Sequence, residues 1–285
     1  MSDDAPQFET VRYRVDGAVA TITLARPDKA NAMSMQLIDE VDAAFSLAGT
    51  DPAVRVVVLD AEGRNFCSGH DLAELVGPDA DPAIVAERAT AEGKFAQEKR
   101  MYVDRCVRIY EFPKPTIAAV QGRCIAAGLM LALVCDLVVA ADDASFANPV
   151  ARMSGMGVEL LLEPWDLGIR KAKEFLWTGE PLGAADAAAA GMVNRVVPRA
   201  ELADAARALA ETIALVPPVT AERIKDSVNH TYELMGKRQS WQYHFMAHHF
   251  THNTATALGM LADRQGMGSM REVFEARDRG DAPAS

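Results

Sequence analysis

The chain has 285 residues, of which 49% are hydrophobic and 24% charged, and its formal net charge is −11. Such a composition is typical of a soluble protein with a large core, and the length suits one large domain plus a smaller appendage. The negative charge argues against a nucleic-acid partner, and neither a secretory signal nor a membrane-spanning apolar run is evident. Four scattered cysteines without CxxC spacing indicate reduced thiols, so we expect a cytoplasmic protein.

The first elements of the chain are clear from local patterns. Residues 11–25 predict two short strands that turn at Asp16-Gly17, a dipeptide typical of hairpins. Residues 35–48 predict a helix with Ser34 as its N-cap, because apolar residues recur with helical period. That stripe consists of Leu37, Ile38, Val41, Ala44, Phe45 and Ala48. Residues 54–59 are almost all apolar, which predicts a strand that is buried on both faces.

Strands and helices continue to alternate in the middle of the chain. Residues 116–120 and 137–140 are β-rich and are separated by a loop and an apolar helix. Because parallel strands need crossover connections, this alternation predicts an α/β core. Residues 72–111 are rich in Ala, Glu and Lys and predict surface helices over that core.

The C-terminal part predicts helices only. Three helical segments follow residue 199, and the third extends over about 238–262. Pro217-Pro218 separates the first segment from the second, because proline cannot continue a helix. We therefore predict a core over residues 1–198 and a helical region over residues 199–285.

The stretch GRCIAAGLML, residues 122–131, has the small residues of a loop that brings backbone N–H groups close to a ligand. It contains no acid, base or nucleophile other than Cys124. A cysteine without an adjacent histidine in sequence is interpreted as a small buried hydrophobic residue rather than a nucleophile. The loop therefore predicts chemistry that depends on backbone groups.

Four ordered segments give the chain a resemblance to a known family. They are ARPDKANAMS, GRNFCSGHDL, PKPTIAAVQGRCIAAGLMLALVCDLVVAADDASFANP and TGEPLGAADAAAAGMVNRVVP. Together they resemble the crotonase (enoyl-CoA hydratase/isomerase) family over residues 10–230. The resemblance implies an α/β fold whose core is a spiral of ββα turns. It also implies C-terminal helices that build homotrimers, often paired into hexamers.

The resemblance implies that an acyl-CoA thioester is the partner. No metal and no cofactor are implied beyond the coenzyme A of the substrate. The thioester carbonyl is polarised in this family by two backbone N–H groups, which correspond here to His70 and Ala127. Preorganised donors stabilise an enolate-like oxyanion, and losing one typically costs about 3–4 kcal/mol of transition-state stabilisation.

Two loops, residues 29–32 and 64–71, correspond to those that hold coenzyme A in the family. Arg26, Lys29 and Arg64 would offset phosphate charge, although each could equally be a solvated surface cation. The full set of binding positions implied by the resemblance is Arg26, Lys29, Ala30, Ala32, Arg64, Phe66, Ser68, Gly69, Asp71, Leu72, Gly128, Met130 and Val150.

Both glutamates of the family hydratases are replaced here. Met130 stands at the first position and Val150 at the second. Neither side chain can accept or deliver a proton, and general acid–base catalysis contributes about 10²- to 10⁴-fold. The sequence therefore predicts something other than a standard hydratase.

Glu159 is the leading candidate for a relocated acid. GMGVE resembles the glycine-containing approach to the catalytic aspartate of dienoyl-CoA isomerases and 4-chlorobenzoyl-CoA dehalogenases. A glutamate in the apolar run GVELLLEPW is unusual unless it is paired or functional. The alternatives are an exposed helix residue or a partner of Arg152 or Arg170. Glu163 and Asp166 are second candidates for the acid.

Several activities fit a single carboxylate. Double-bond isomerisation needs one base that removes and returns a proton, and hydrolysis or C–C cleavage is also compatible. The His70 imidazole is a further candidate for the acyl pocket. The rival hypothesis is a catalytically silent acyl-CoA-binding protein that has kept the pocket.

His244, His248 and His252 share one helical face at i, i+4 and i+8. Two such histidines can bind zinc, but the glutamate of the HExxH pattern is missing. The same segment is rich in aromatic residues, so packing or subunit contact is the simpler interpretation. We expect no metal here.

Overall fold

The structure, a computed structural model, describes residues 7–76, 80–153 and 155–259. Its strands, in chain order, are β1 (Val11–Asp16), β2 (Val19–Leu24), β3 (Val56–Ala61), β4 (Thr116–Val120), β5 (Arg123–Ile125), β6 (Leu137–Ala141), β7 (Ser145–Ala147), β8 (Leu182–Gly183) and β9 (Arg195–Val197). Its helices are α1 (Met35–Thr50), α2 (Leu72–Val76), α3 (Pro82–Arg88), α4 (Ala91–Glu98), α5 (Asp104–Tyr110), α6 (Ala127–Leu133), α7 (Glu163–Leu167), α8 (Ile169–Thr178), α9 (Ala184–Ala190), α10 (Leu202–Ala214), α11 (Pro218–Leu234) and α12 (Lys237–His252).

The strands form two sheets. The larger sheet has the order β1-β2-β3-β4-β6-β9, and the smaller has the order β5-β7-β8. Only the β1–β2 pair of the larger sheet is antiparallel, and every later neighbour is parallel. Parallel neighbours need crossovers, which here carry the helices and loops of the site. The α/β core predicted from the alternating pattern is confirmed.

The predicted N-terminal elements form as expected. Asp16 pairs with Val19 at the end of the β1–β2 hairpin, and Gly17 takes a φ of 59° in the turn. Helix α1 has Ser34 as its N-cap, whose side chain accepts a hydrogen bond from Leu37 N at 3.1 Å. The six apolar residues of the predicted stripe are all buried. Local sequence patterns therefore determine this part of the chain.

The central strands are buried on both faces, as the apolar run predicted. On β3, Val57 and Leu59 belong to the main core, whereas Val56 and Val58 face the opposite side. Helix α10 covers that opposite side with Leu202, Ala206, Leu209 and Ala210. Strand β4 is buried along its whole length. The sheet is therefore a middle layer, with the site on the side away from α10.

The helical C-terminal region is confirmed within the described residues. Helix α11 begins at Pro218, directly after Pro217, as the proline pair predicted. Helix α12 packs back on the core, where Trp241 Nε1 donates to Leu161 O at 3.0 Å. The predicted third segment is not continuous, because α12 ends at His252 and a turn at residues 253–254 precedes a short helical stretch at 255–259; residues 260–262 lie outside the described residues. Across the ranges that the structure describes, none of the helices combines the length and apolarity needed to cross a membrane.

The segment 72–111 does more than cover the core. Helix α3 has no buried residue, as expected of a surface helix. A π-helical turn, Lys99–Val103, joins α4 to α5, and this continuous stretch buries Glu98 and Tyr102. An inserted π turn shifts the helix face, and such turns are frequent at functional sites. The prediction of surface helices missed this buried contribution.

Candidate active site

Three loops converge beside the ends of the central strands. The Asn31 side chain fixes two of them, because its Nδ2 donates to Glu62 O and Asn65 O, each at 2.9 Å. Met33 N donates to Gly69 O at 2.8 Å, which ties the same first loop to residues 67–70. These contacts hold together the two loops that the resemblance assigns to coenzyme A binding.

The 67–70 loop also contacts the start of α6. Ile125 N donates to Cys67 O at 2.9 Å. A Cβ atom on Gly128 would lie only 2.5 Å from the same Cys67 oxygen, so glycine is required there for this close approach. The segment before α6 and the segment before α2 therefore have a fixed spacing.

Two backbone N–H groups at this contact have no hydrogen-bond partner among the described residues. Ala126 has a φ of 50° and a ψ of −115°, a rare conformation that turns the chain directly before Ala127, the first residue of α6. No described residue accepts a hydrogen bond from the N–H of Ala127 or of His70. A Cβ on Gly69 would lie 3.7 Å from Ala127 N, so the two segments adjoin at this point. Free N–H groups at a helix start bind anionic oxygen atoms.

Glu159 and His70 meet in a cavity of about 150 Å³. Glu159 is 1% exposed, and its Oε1 lies 3.3 Å from His70 Nε2. The angles are not those of a hydrogen bond, and Glu159 Oε2 has no partner among the described residues. A buried carboxylate without full hydrogen bonding is costly for stability, which favours a functional role. The alternative of an exposed helix residue is wrong, because Glu159 is neither exposed nor helical.

Tyr102 supports the imidazole of His70. The two ring centroids are 4.2 Å apart with an interplanar angle of 45°. Tyr102 sits on the π-helical turn and is 1% exposed, so its ring forms a fixed wall of the cavity. The sequence offered no sign of this contact, because the π turn depends on packing rather than on local pattern.

A second polar cluster lines the same cavity. Arg88, Lys94, Glu98 and His248 contribute to the lining. Glu98 Oε1 lies 2.9 Å from the Arg88 guanidinium, and Glu98 Oε2 lies 3.2 Å from His248 Nε2. Burial alone would raise the pKa of Glu98, but the contacts from His248 and His249 hold it well below its usual range. No sequence motif links these four residues to the acyl pocket.

The other acid candidates lie elsewhere. Glu163 is buried and accepts hydrogen bonds from Asn148 Nδ2 at 2.7 Å and from Leu162 N at 3.1 Å, so it has a structural role. Asp166 lines a different pocket together with Lys237. Neither carboxylate belongs to the lining of the cavity that holds Glu159.

The predicted coenzyme A positions fall into distinct groups. Lys29 and Arg64 are exposed on neighbouring loops and are available to a phosphate. Arg26 is not, because its guanidinium donates to Asp71 at 3.0 Å and to Ala32 O. The remaining loop positions are half-buried (Ala30, Ala32, Ser68 and Leu72) or buried (Phe66 and Gly69).

The two positions that replace the hydratase glutamates behave differently. Val150, in the short 3₁₀ helix Pro149–Met153, lines the cavity. Met130 is 1% exposed inside α6 and is not part of the lining. A pocket role for Met130 as a substrate contact is therefore not supported.

Cys124 is not an activated nucleophile. Its thiol is fully buried, and burial raises its pKa well above the usual range. A buried, protonated thiol is a small apolar side chain, as the sequence indicated.

Acid should destabilise the fold through His244 and His252. Burial lowers the pKa of His244 to about 4 and that of His252 to about 3. The unfolded chain takes up both protons near pH 6.5 and the folded chain does not. The stability that these groups contribute is therefore present above pH 6.5 and is lost as the pH falls towards the folded pKa values.

As the pH falls from 6.5 to 5, we expect each of the two histidines to reduce the unfolding free energy by about 1–2 kcal/mol. Urea titrations at several pH values measure this slope. The variant His252→Gln should flatten it, whereas His230→Gln, at an exposed position, should not. An unchanged slope in His252→Gln would contradict the assignment.

The fold and this site together define a candidate active site. His70 and the buried Glu159 line one cavity, and Ala127, whose N–H has no partner among the described residues, adjoins the same loop at Gly69. Comparison with known proteins identifies the class of enzyme. The profile of the family described as enoyl-CoA hydratase/isomerase matches residues 14–265. The chain belongs to this family, the crotonase superfamily, and is one of its enzymes.

Relatives and solved structures agree with this assignment. EchA13 of Mycobacterium tuberculosis, which carries the name of an enoyl-CoA hydratase, is 42% identical over 259 residues, covering 86% of this chain and 81% of its own. The crystal structure of a probable enoyl-CoA hydratase from Mycobacterium smegmatis has a TM-score of 0.81 and 44% identity, covering 88% of this chain and 96% of its own. An enoyl-CoA hydratase/isomerase from Xanthobacter autotrophicus has a TM-score of 0.85 and 30% identity, covering 98% and 100%. The crotonase fold predicted from the four motifs is confirmed.

Proposed function

We propose that the chain moves a proton on an acyl-CoA thioester by way of an enolate and so isomerises a double bond in the acyl group. Glu159 is the base, and the N–H groups of His70 and Ala127 hold the thioester oxygen. The observation that carries the proposal is the Glu159 carboxylate, which is buried beside His70 in the cavity that both residues line and has one oxygen without a partner among the described residues.

The chemistry requires one carboxylate, and the cavity offers one that is available. Glu98 also lines it, but Arg88 and two histidines already engage both of its oxygens. Hydration on the usual plan requires two acids, whereas Met130 and Val150 stand at those positions. A single available base therefore favours isomerisation over standard hydration. It also favours hydrolysis or C–C cleavage over standard hydration.

The proposed step balances within the substrate. The Glu159 carboxylate takes a proton from C2 of a 3-enoyl thioester, and the C2–H electrons delocalise onto the thioester oxygen as a dienolate. The protonated Glu159 exchanges its proton with solvent, and delivery of a proton from Glu159 to C4 moves the double bond from C3–C4 to C2–C3 and restores the carboxylate. Two backbone donors at the oxygen stabilise the dienolate, each by about 3–4 kcal/mol in related sites.

Coenzyme A would lie across the loops that converge at Asn31. Lys29 and Arg64 are exposed there and would contact its phosphates. Arg26 would act through the loop instead, because its ion pair with Asp71 fixes the chain around Ala32.

Isotope exchange tests the proposal. A panel of 2-enoyl- and 3-enoyl-CoA thioesters is incubated with the protein in deuterated water and followed by mass spectrometry. We expect a gain of one mass unit in a substrate whose double bond moves. A gain of 20 mass units from D₂O addition would indicate hydration, and the release of free coenzyme A would indicate hydrolysis. Bound but unchanged thioesters would support the silent binder and contradict an enzyme of this kind.

We also propose that the chain forms a homotrimer or a dimer of trimers. Helix α11 has no buried residue, yet it exposes large apolar side chains, including Val219 at 69% and Leu234 at 76%. Helix α12 exposes Tyr243 at 76% and Phe250 at 74%. Apolar surface on this scale is stabilised when another copy covers it. Light scattering should give three or six times the 30.7 kDa chain mass.

A further inference from the structure

The cavity contains more charged groups than the proposed isomerisation uses. Glu98 is anionic and fully engaged, since Arg88 contacts one of its oxygens at 2.9 Å and His248 and His249 contact the other at 3.2 and 3.1 Å. Both oxygens of this carboxylate therefore already have cationic or imidazole neighbours from the protein. Its role is to fix the cations around it.

The imidazole of His248 is held between two acceptor oxygens. Its Nδ1 lies 2.9 Å from Gly157 O, and its Nε2 lies 3.2 Å from Glu98 Oε2. Both ring nitrogens therefore have a protein partner, and the ring fixes the Glu98 carboxylate in place.

Lys94 has unused donors. Its side chain is 20% exposed and lines the cavity, and its Nζ lies 3.9 Å from Glu98 Oε1, beyond hydrogen-bond distance. No acceptor in the described part of the chain lies within hydrogen-bond distance of this ammonium group. A largely buried cation with three free N–H donors is a binding site for an oxygen anion.

The pairing of the cavity's charged groups points to an anion. Arg88 contacts Glu98 at 2.9 Å, whereas Lys94 lies 3.9 Å from the same carboxylate, beyond hydrogen-bond distance. Lys94 is therefore the lysine or arginine of the described lining whose cationic head has room for an anionic partner.

A divalent metal fits the same cluster poorly. The donor atoms of Glu98, His248 and His249 lie within 4.8 Å of one another, which is close enough for a metal ion. Arg88 and Lys94 already stand beside that carboxylate, so a dication would add a further positive charge to a largely buried site. An anionic occupant would pair with Lys94 instead.

We infer that the acyl group of the substrate carries a carboxylate, which Lys94 Nζ binds directly inside the cavity. This inference rests on the proposed acyl-CoA function and names its substrate class: the half-thioester of a short dicarboxylic acid. A cavity of about 150 Å³ holds on the order of six non-hydrogen atoms, since a cavity of that size binds benzene in another protein. The three methylenes and the carboxylate of a glutaryl chain match that number.

Affinity for a matched pair of thioesters tests the inference. Calorimetry compares glutaryl-CoA with its terminal amide, which has the same shape and no charge, and neither is consumed by a double-bond shift. We expect the carboxylate to bind about tenfold more tightly or better, because hydrogen bonds to charged groups are the stronger ones. Lys94→Met should reduce that preference to below about threefold, and Lys94→Arg should retain most of it.

Lys99→Met is the control, because Lys99 lies on the same segment but pairs with Asp104 at the surface. We expect it to retain the full preference. Equal affinity for the two thioesters in the natural protein would overturn the carboxylate inference and leave the acyl-CoA function standing. An equal preference in Lys94→Met and the natural protein would also overturn it. Failure of both thioesters to bind would overturn the acyl-CoA function and this inference together.

Discussion

Replacing Glu159 with glutamine is expected to lower the rate of deuterium exchange by at least about 100-fold, because general bases contribute roughly 10²- to 10⁴-fold. Glutamine has nearly the same shape but cannot accept a proton at neutral pH. Affinity for a saturated acyl-CoA should change little, since the backbone donors of His70 and Ala127 remain. The rate is measured by mass spectrometry in deuterated water, and affinity by calorimetry.

Two further carboxylate variants make that result specific. Asp166→Asn and Glu163→Gln alter the other candidate acids, which lie outside the cavity lining. Glu163→Gln should cost stability, because Leu162 N would then face an amide group that also donates. Neither variant should reduce the exchange rate more than about threefold once the protein is folded. An active Glu159→Gln variant, or an inactive folded Asp166→Asn variant, would move the chemistry to another acid.

Local elements of the fold could be predicted because their causes are local. The hairpin follows from Asp16-Gly17, and the start of α1 follows from the Ser34 side chain and an apolar stripe of helical period. The buried character of β3 follows from its continuous apolar run. The crotonase fold itself came from the order of four motifs, since no periodicity specifies a spiral of ββα turns.

The charged part of the cavity could not be predicted, because burial of a charge is decided by distant contacts. Glu98 meets His248 across 150 positions of the chain. From the sequence alone, Lys94 and Glu98 look like the solvated face of a surface helix. What makes them part of a cavity is α12, whose histidines cover them, together with the π turn at Lys99–Val103.

For the same reason, only part of the site could be predicted from the sequence. Glu159 could be predicted as the catalytic acid because an acid within an apolar run is unusual, and the structure buries it in the lining of the cavity. Its contact with His70 had no sequence signal, because the two residues are far apart in the chain. Met130 holds a motif position that the resemblance places in the pocket, but its side chain is 1% exposed in the hydrophobic core and does not line the cavity.

Gly128→Ala is expected to reduce kcat/KM by about 100-fold or more while the protein still folds. The added Cβ would lie 2.5 Å from Cys67 O, 2.7 Å from Cys67 Cβ and 2.9 Å from Cys67 Sγ, so the two segments must separate. That separation moves the N–H of Ala127 relative to the N–H of His70. A misplacement of about 1 Å near the chemistry can cost about 100-fold in rate.

The effect on stability is the sum of two opposing contributions. Alanine is the better helix former by about 1 kcal/mol, whereas overpacking a core costs about 1–3 kcal/mol. The net loss in unfolding free energy should therefore be small, far below the loss in activity. Gly49→Ala in α1 is the matched control, because its Cβ meets only the movable ring edge of Phe112 at 3.2 Å. It should retain full activity. A folded Gly128→Ala variant with the natural kcat/KM would show that the spacing of the two segments does not position the donors.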